Sequence, residues 1–149
     1  MALVTLSLLL LTITKTSPVE AIVVSGKSME STLHDRDKGV LFTTSKINQY
    51  DIIVFEKCID GKDTLLIKRV IGLPGDSVKC IGKTVYVNGN PIVEFAKDPN
   101  CNTDFSEQIV PANCYFVLGD NRKVSLDSRY EEVGFVSADC IKGVFYSAK

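Results

Sequence analysis

Histidine occurs once in this chain of 149 residues, at His34, and tryptophan does not occur at all. A Ser-His-Asp triad would therefore have to use His34, which stands in the charged stretch His34-Asp35-Arg36-Asp37-Lys38-Gly39. That stretch lacks the oxygen-ligand spacing of a calcium loop, because its glycine comes one place early, and it reads as a solvated turn. Five cysteines are scattered (Cys58, Cys80, Cys101, Cys114, Cys140), none in a Cys-x-x-Cys pair, and with one histidine they do not make a zinc site. They read as buried small hydrophobes or, outside the cytoplasm, as one or two disulfides with a thiol left over. The net charge of −1 and the absence of a basic stripe exclude a nucleic-acid partner. Gly82-Lys83-Thr84 is not a phosphate loop, since Ser77 stands where the upstream glycine belongs and no helical pattern follows. The apolar run from Ala2 to Ile13 falls short of the ~20 residues that cross a bilayer, so a short or clipped anchor competes with a cleavable signal sequence and with a buried element.

Short apolar stretches punctuated by turn residues make up most of the remainder. Hydrophobic residues are 45% of the chain, enough for the core of one domain with a small appendage. Val19–Val24, Gly39–Thr43, Asp51–Phe55, Thr64–Ile71, Val78–Cys80, Thr84–Val87, Tyr115–Leu118, Gly134–Val136 and Ile141–Tyr146 read as strands. Gly61-Lys62-Asp63 and Asn88-Gly89 carry hairpin chemistry. Residues 97–112 read as an irregular polar loop, and no long amphipathic helical pattern follows residue 20. The expected fold is mainly β, a barrel or coiled antiparallel sheet.

Ser28 follows an apolar strand and a Ser-Gly turn, which can present its hydroxyl at a sheet rim beside free backbone N–H groups. A serine is inert as a nucleophile until a base takes its proton. Lys68 is a candidate base. In Leu65-Leu66-Ile67-Lys68-Arg69-Val70-Ile71 strand alternation puts Lys68 on one face with Leu66 and Val70, and Arg69 on the other with Ile67 and Ile71. Apolar neighbours disfavour an ammonium and can bring a lysine pKa down by roughly 3–5 units, toward neutrality. A strand lysine that carries its head to water is the competing reading.

Three separated segments decide between these readings by resemblance. Ser25-Gly26-Lys27-Ser28-Met29-Glu30-Ser31-Thr32-Leu33 resembles the nucleophile box of type I signal peptidases, and Lys68-Arg69-Val70-Ile71-Gly72-Leu73-Pro74-Gly75-Asp76 resembles their lysine box. Gly119-Asp120-Asn121-Arg122, with Ser125, Asp127-Ser128-Arg129 and Gly134-Phe135-Val136, resembles their C-terminal box, in the same order and spacing. The resemblance implies a membrane-bound serine endopeptidase of coiled β-sheet fold that removes signal peptides from exported proteins with a Ser28/Lys68 dyad. It implies that Ser125 hydrogen-bonds and orients the lysine, and that Asp120, Arg69, Asp127 and Arg129 brace the site, in ion pairs Asp127–Arg129 or Asp120–Arg69. Met29 and Gly26 would contact substrate. It also implies residues 1–15 as an anchor and 16–149 as the catalytic domain, with a small insertion around 79–113.

The implied localisation is the plasma membrane, single-pass, with the catalytic domain on the extracytoplasmic side. The implied partners are preproteins with Ala-x-Ala cleavage sites and the lipid bilayer, with no metal or organic cofactor. Three departures stand out: Ser31 replaces the usual proline, Gly26 replaces an oxyanion-hole hydroxyl found in some relatives, and Glu131-Glu132-Val133 lengthens the gap before Gly134. Two other readings compete, a soluble self-cleaving Ser-Lys protease of the SOS-repressor type and a tethered β module that binds peptides without cutting them.

Overall fold

Two-residue turns organise the strands. Asp60-Gly61, Gly82-Lys83 and Asn88-Gly89 all have positive φ at both central residues. That is the geometry whose twist matches the flanking strands of a tight hairpin. The first turn falls one residue earlier than the composition around Lys62 suggests, because Asp-Gly accepts two left-handed residues more readily than Gly-Lys. Gly82-Lys83, set aside above as a phosphate loop, is one of these hairpin turns.

The structure, a computed structural model, describes residues 18–92 and 103–148. The apolar run Ala2–Ile13 and the expected anchor lie outside them, as does Cys101. Among the described residues the chain forms β1 (Val19–Val23), β2 (Lys38–Phe42), β3 (Ile52–Ile59), β4 (Lys62–Gly72), β5 (Ser77–Ile81), β6 (Thr84–Val87), β7 (Asn90–Pro91), β8 (Phe105–Ile109), β9 (Cys114–Leu118), β10 (Val136–Ser137) and β11 (Ile141–Ser147). A seven-stranded sheet runs β1-β2-β11-β3-β4-β9-β10, and a four-stranded sheet runs β7-β6-β5-β8. Every pairing is antiparallel.

The expectation of an irregular loop over 97–112 is corrected at its C-terminal end, where β8 pairs with β5. Its central residues Ser106, Glu107 and Gln108 carry little strand propensity. The backbone ladder at the edge of the small sheet determines the conformation instead.

Three apolar clusters hold the sheets together. One joins the small sheet to β4 and β9 through Val78, Val85, Val110, Ile71, Phe116 and Leu118. A second lies under β3, β4 and β11 around Ile53, Phe55, Val70, Val117 and Val144. The third gathers Val24, Met29, Leu33, Leu41, Val54 and Phe145 beneath the segment that carries Ser28. The long gap before Gly134 folds as a turn, with Val133 and Gly134 donating to the Tyr130 carbonyl and Val133 buried in the second cluster.

β4 is the strand that positions the site. Its second half, Lys68 to Gly72, is buried on both faces. β3 pairs with it along its whole length, from Ile59↔Lys62 to Ile52↔Arg69. β9 pairs only with Arg69, Val70 and Gly72. The first half of β4 therefore has one edge without a strand partner among the described residues. Residues 65–67 of that edge face Ala21 to Ser25 across a cavity of about 260 Å³.

Candidate active site

Ser28 and Lys68 meet 40 residues apart in sequence: the Nζ of Lys68 lies 2.9 Å from the Ser28 Oγ. Burial of both faces of β4 favours this contact, because Lys68 is only 3% exposed and its head turns from bulk solvent toward Ser28. The Nζ also donates to the Ile67 carbonyl at 2.8 Å. Removal from water lowers the Lys68 pKa from 10.5 to about 8, and the negative charge of Asp127 partly opposes that fall. The competing reading of a lysine with its head in solvent is thereby excluded.

The nucleophile segment is held from below. Met29, 1% exposed, packs into the third cluster, and Leu33 follows it one turn later. Thr32 and Leu33 donate their N–H groups to the Met29 carbonyl. Gly26 has φ +91° and donates its N–H to Asp35 at 2.8 Å, so the chain makes a tight exposed turn just before Ser28. Ser31 has φ +82°, a conformation closed to proline, whose ring holds φ near −65°. The serine at this position therefore goes with a local backbone that proline could not adopt.

Two buried ion pairs flank the dyad. Arg69 grips Asp120 with two bonds, Nε to Oδ1 at 2.9 Å and Nη2 to Oδ2 at 2.6 Å. The Thr32 hydroxyl donates to the same carboxylate at 2.5 Å, and Arg69 Nη1 donates to the Tyr50 carbonyl at 3.0 Å. This web ties the nucleophile segment, β4 and the loop after β9 together. Arg129 holds Asp127 through Nε at 2.8 Å and Nη2 at 2.9 Å. Its Nη2 also donates to the carbonyls of Arg122 and Ser125, while Asp127 accepts from the Gly119 N–H at 3.0 Å. Charges this deeply buried are tolerable only when paired and hydrogen-bonded, although the Arg129 Nη1 itself has no hydrogen-bond partner among the described residues.

Ser125 stands close by, but its hydroxyl is buried without a hydrogen-bond partner. The bond to Lys68 that the resemblance implied is not formed in this structure. Gly119 explains how the loop comes so near: a Cβ there would stand 2.5 Å from the Ser28 carbonyl oxygen and closer still to the Ser125 hydroxyl. Only glycine fits.

His34 is exposed and pairs with Asp37 at 3.7 Å. It lies on the rim of a cavity of about 720 Å³ lined also by Glu30, Ser31, Asp120, Asn121, Arg122 and Lys123. Thr32, Tyr50 and Asn121 entered no list of site residues drawn from the sequence. Tyr50 acts through a backbone carbonyl, which carries no residue-type signal. Thr32 and Asn121 lie inside motifs already singled out, and only their spatial partners show their use. Among the described residues no group of three or more His, Cys, Asp or Glu side chains could hold a metal ion.

Comparison with known proteins places the chain among its relatives. Residues 1–147 match the family model described as signal peptidase, peptidase S26. The chain is 37% identical over 140 residues to signal peptidase I P of Bacillus subtilis subsp. natto, covering 83% of this chain and 73% of that protein. It is 38% identical over 122 residues to signal peptidase I S of Bacillus subtilis strain 168, covering 72% of this chain and 64% of the relative. The chain thus spans about two thirds to three quarters of these relatives' length. The crystal structure of a signal peptidase I from Enterococcus faecalis V583 superposes with a TM-score of 0.55 at 36% identity, over 66% of this chain and 96% of that one. The mainly β, antiparallel architecture is shared with that enzyme, and the chain belongs to the signal peptidase family, the serine endopeptidases of class S26.

Proposed function

We propose that this chain is the catalytic part of a type I signal peptidase that removes signal peptides from preproteins through a Ser28/Lys68 dyad. The single observation that carries this reading is the 2.9 Å contact between a buried amine and the Ser28 hydroxyl. Neutral Lys68 takes the Ser28 proton as Oγ attacks the scissile carbonyl, and the backbone N–H of Ser28 holds the oxyanion. The lysine ammonium then returns its proton to the leaving amine. Water, deprotonated in turn by Lys68, hydrolyses the acyl-enzyme. The Asp120–Arg69 and Asp127–Arg129 pairs brace the two sides of the dyad.

Substrate runs extended between β1 and the unpartnered edge of β4, bonding to main chain on both sides, with alternate side chains entering shallow apolar pockets. Small residues of the Ala-x-Ala kind suit a cavity of about 260 Å³ lined by Ile22, Val24, Val54 and Ile67. Gly26 and Met29 shape the turn beside this groove.

The family is membrane-associated. We take residues 1–15 as the membrane anchor in a single-pass arrangement, with residues 16–149 as the catalytic domain on the extracytoplasmic face of the plasma membrane. The small sheet is then an insertion within that domain. Among the described residues no helix is long and apolar enough to cross a membrane. The dyad is tested by incubating purified variants with a preprotein carrying an Ala-x-Ala site. Ser28→Ala and Lys68→Ala each abolish cleavage and His34→Ala does not; full activity in Lys68→Ala refutes the dyad.

A further inference from the structure

The two carbonyls on either side of the Ser28 Cα are both held by one residue. Asn121 donates its side-chain Nδ2 to the Lys27 carbonyl at 3.1 Å, which also accepts the Glu30 N–H at 3.1 Å, and its backbone N–H to the Ser28 carbonyl at 2.9 Å. The Lys27 carbonyl belongs to the same planar peptide unit as the Ser28 N–H, and a trans peptide aims the two groups in opposite directions. Fixing one therefore fixes the other. Among the described residues nothing accepts a hydrogen bond from the Ser28 N–H, so it is free to meet a ligand oxygen.

We propose that Asn121 is a positioning residue for the oxyanion site. Its side-chain amide, together with the Glu30 N–H on the same carbonyl, holds the Lys27–Ser28 peptide so that the Ser28 N–H faces the developing oxyanion. The inference rests on the reading of Ser28 as nucleophile and of its own N–H as oxyanion donor. Three features give it weight. The segment before Ser28 is exposed, from Ser25 to Lys27, and turns through Gly26 at φ +91°, so the apolar core does not restrain this peptide. Gly26 brings no hydroxyl to the oxyanion, which leaves backbone donors to do that work. A hydrogen bond accepted by a peptide carbonyl also polarises the N–H at its opposite edge, making it a stronger donor. Asn121 is itself anchored, since its carbonyl accepts from the Ser125 N–H at 3.1 Å.

The test compares Asn121→Ala and Asn121→Leu in the full chain with a peptide substrate. Both variants keep the backbone bond to the Ser28 carbonyl. Leu keeps the shape of the side chain, has no donor and adds no charge beside Lys68, so it carries the test if Ala folds poorly. Loss of a whole oxyanion donor lowers kcat by about 10²–10³, so misaiming one lowers it about tenfold or more in both variants, with KM within about twofold. A peptide aldehyde ending in Ala, which captures the Ser28 oxygen as a tetrahedral adduct, binds more weakly in proportion. The pH at which activity reaches half its plateau does not move, because Lys68 is untouched.

Native kcat in Asn121→Leu overturns the proposal. So does a loss of activity accompanied by a displaced pH profile or unchanged aldehyde affinity, which marks a general disturbance of the site. The Ser28→Ala control separates the two layers. If Ser28→Ala still cleaves, the dyad reading itself fails; if it is inactive while Asn121→Leu is normal, only the role of Asn121 falls.

Discussion

Under the proposed dyad, burial of Lys68 makes the cleavage rate a titration curve of one amine. With its pKa at about 8 in place of 10.5, about one molecule in ten carries a neutral lysine at pH 7. An ordinary lysine would be neutral in about one molecule in 3000 at that pH, so burial multiplies the reactive population by about 300. The perturbation is pH itself, varied from 6 to 10 with a fluorogenic peptide at concentrations well below KM. The quantity read is kcat/KM, which reports the free enzyme. It should rise tenfold per pH unit up to about 7.5, reach half its plateau near 8 and then level off. A profile still climbing through pH 10 would mean that Lys68 is not desolvated in the working enzyme. A limb centred near 6.5 that disappears in His34→Ala would transfer the base to His34. Either result refutes the reasoning.

Other consequences follow from the same geometry. The fall of the Lys68 pKa from 10.5 to about 8 means that the folded chain loses its proton before the unfolded one does. The buried ammonium therefore costs stability in full below pH 8, and stability recovers as pH rises from 8 to 10.5. Lys68→Met, inactive, should be more stable than native at pH 7 by about 2–3 kcal/mol in urea unfolding, with the difference shrinking above pH 8; equal stability at pH 7 and 10 would refute this. Asp127→Asn removes a charge that raises the Lys68 pKa and leaves Arg129 without its counter-ion. Both changes shift the activity limb to lower pH, and unfolding free energy falls by about 3–5 kcal/mol; a limb displaced upward would contradict the assignment. Ser31→Pro, which restores the residue usual in the family, should destabilise by more than about 1 kcal/mol in thermal unfolding, because φ at this position is +82°; a raised Tm would show that the backbone accommodates proline.

Local chemistry made much of the fold readable. Asp60-Gly61 and Asn88-Gly89 announce hairpins because their two central residues must be left-handed, a requirement few residue pairs meet. β9 and β11 announce themselves by runs such as Tyr115-Phe116-Val117-Leu118, which can be satisfied only in a buried sheet. β8 could not be read this way, since Ser106, Glu107 and Gln108 are strand only because β5 offers its edge to them.

The site divides along the same line. Alternation along Leu66-Ile67-Lys68-Arg69-Val70 settles that Lys68 and Arg69 point to opposite faces, since the pleat allows nothing else. Whether Lys68 is buried or reaches water was not in that pattern, because the side that would cover it comes from residues 24–33 and 119–129, brought over β4 by the chain's long-range pairing. The three motif segments supply the residue types Ser28, Lys68, Asp120, Asp127 and Arg129 by their own order. That Asp120 takes Arg69 while Asp127 takes Arg129, that Ser125 is left without a partner, and that Asn121 holds the Lys27 carbonyl are matters of ångströms between segments. Sequence determines what each side chain can donate or accept; the packing of both faces of β4 decides which partner it meets and how much water remains to compete.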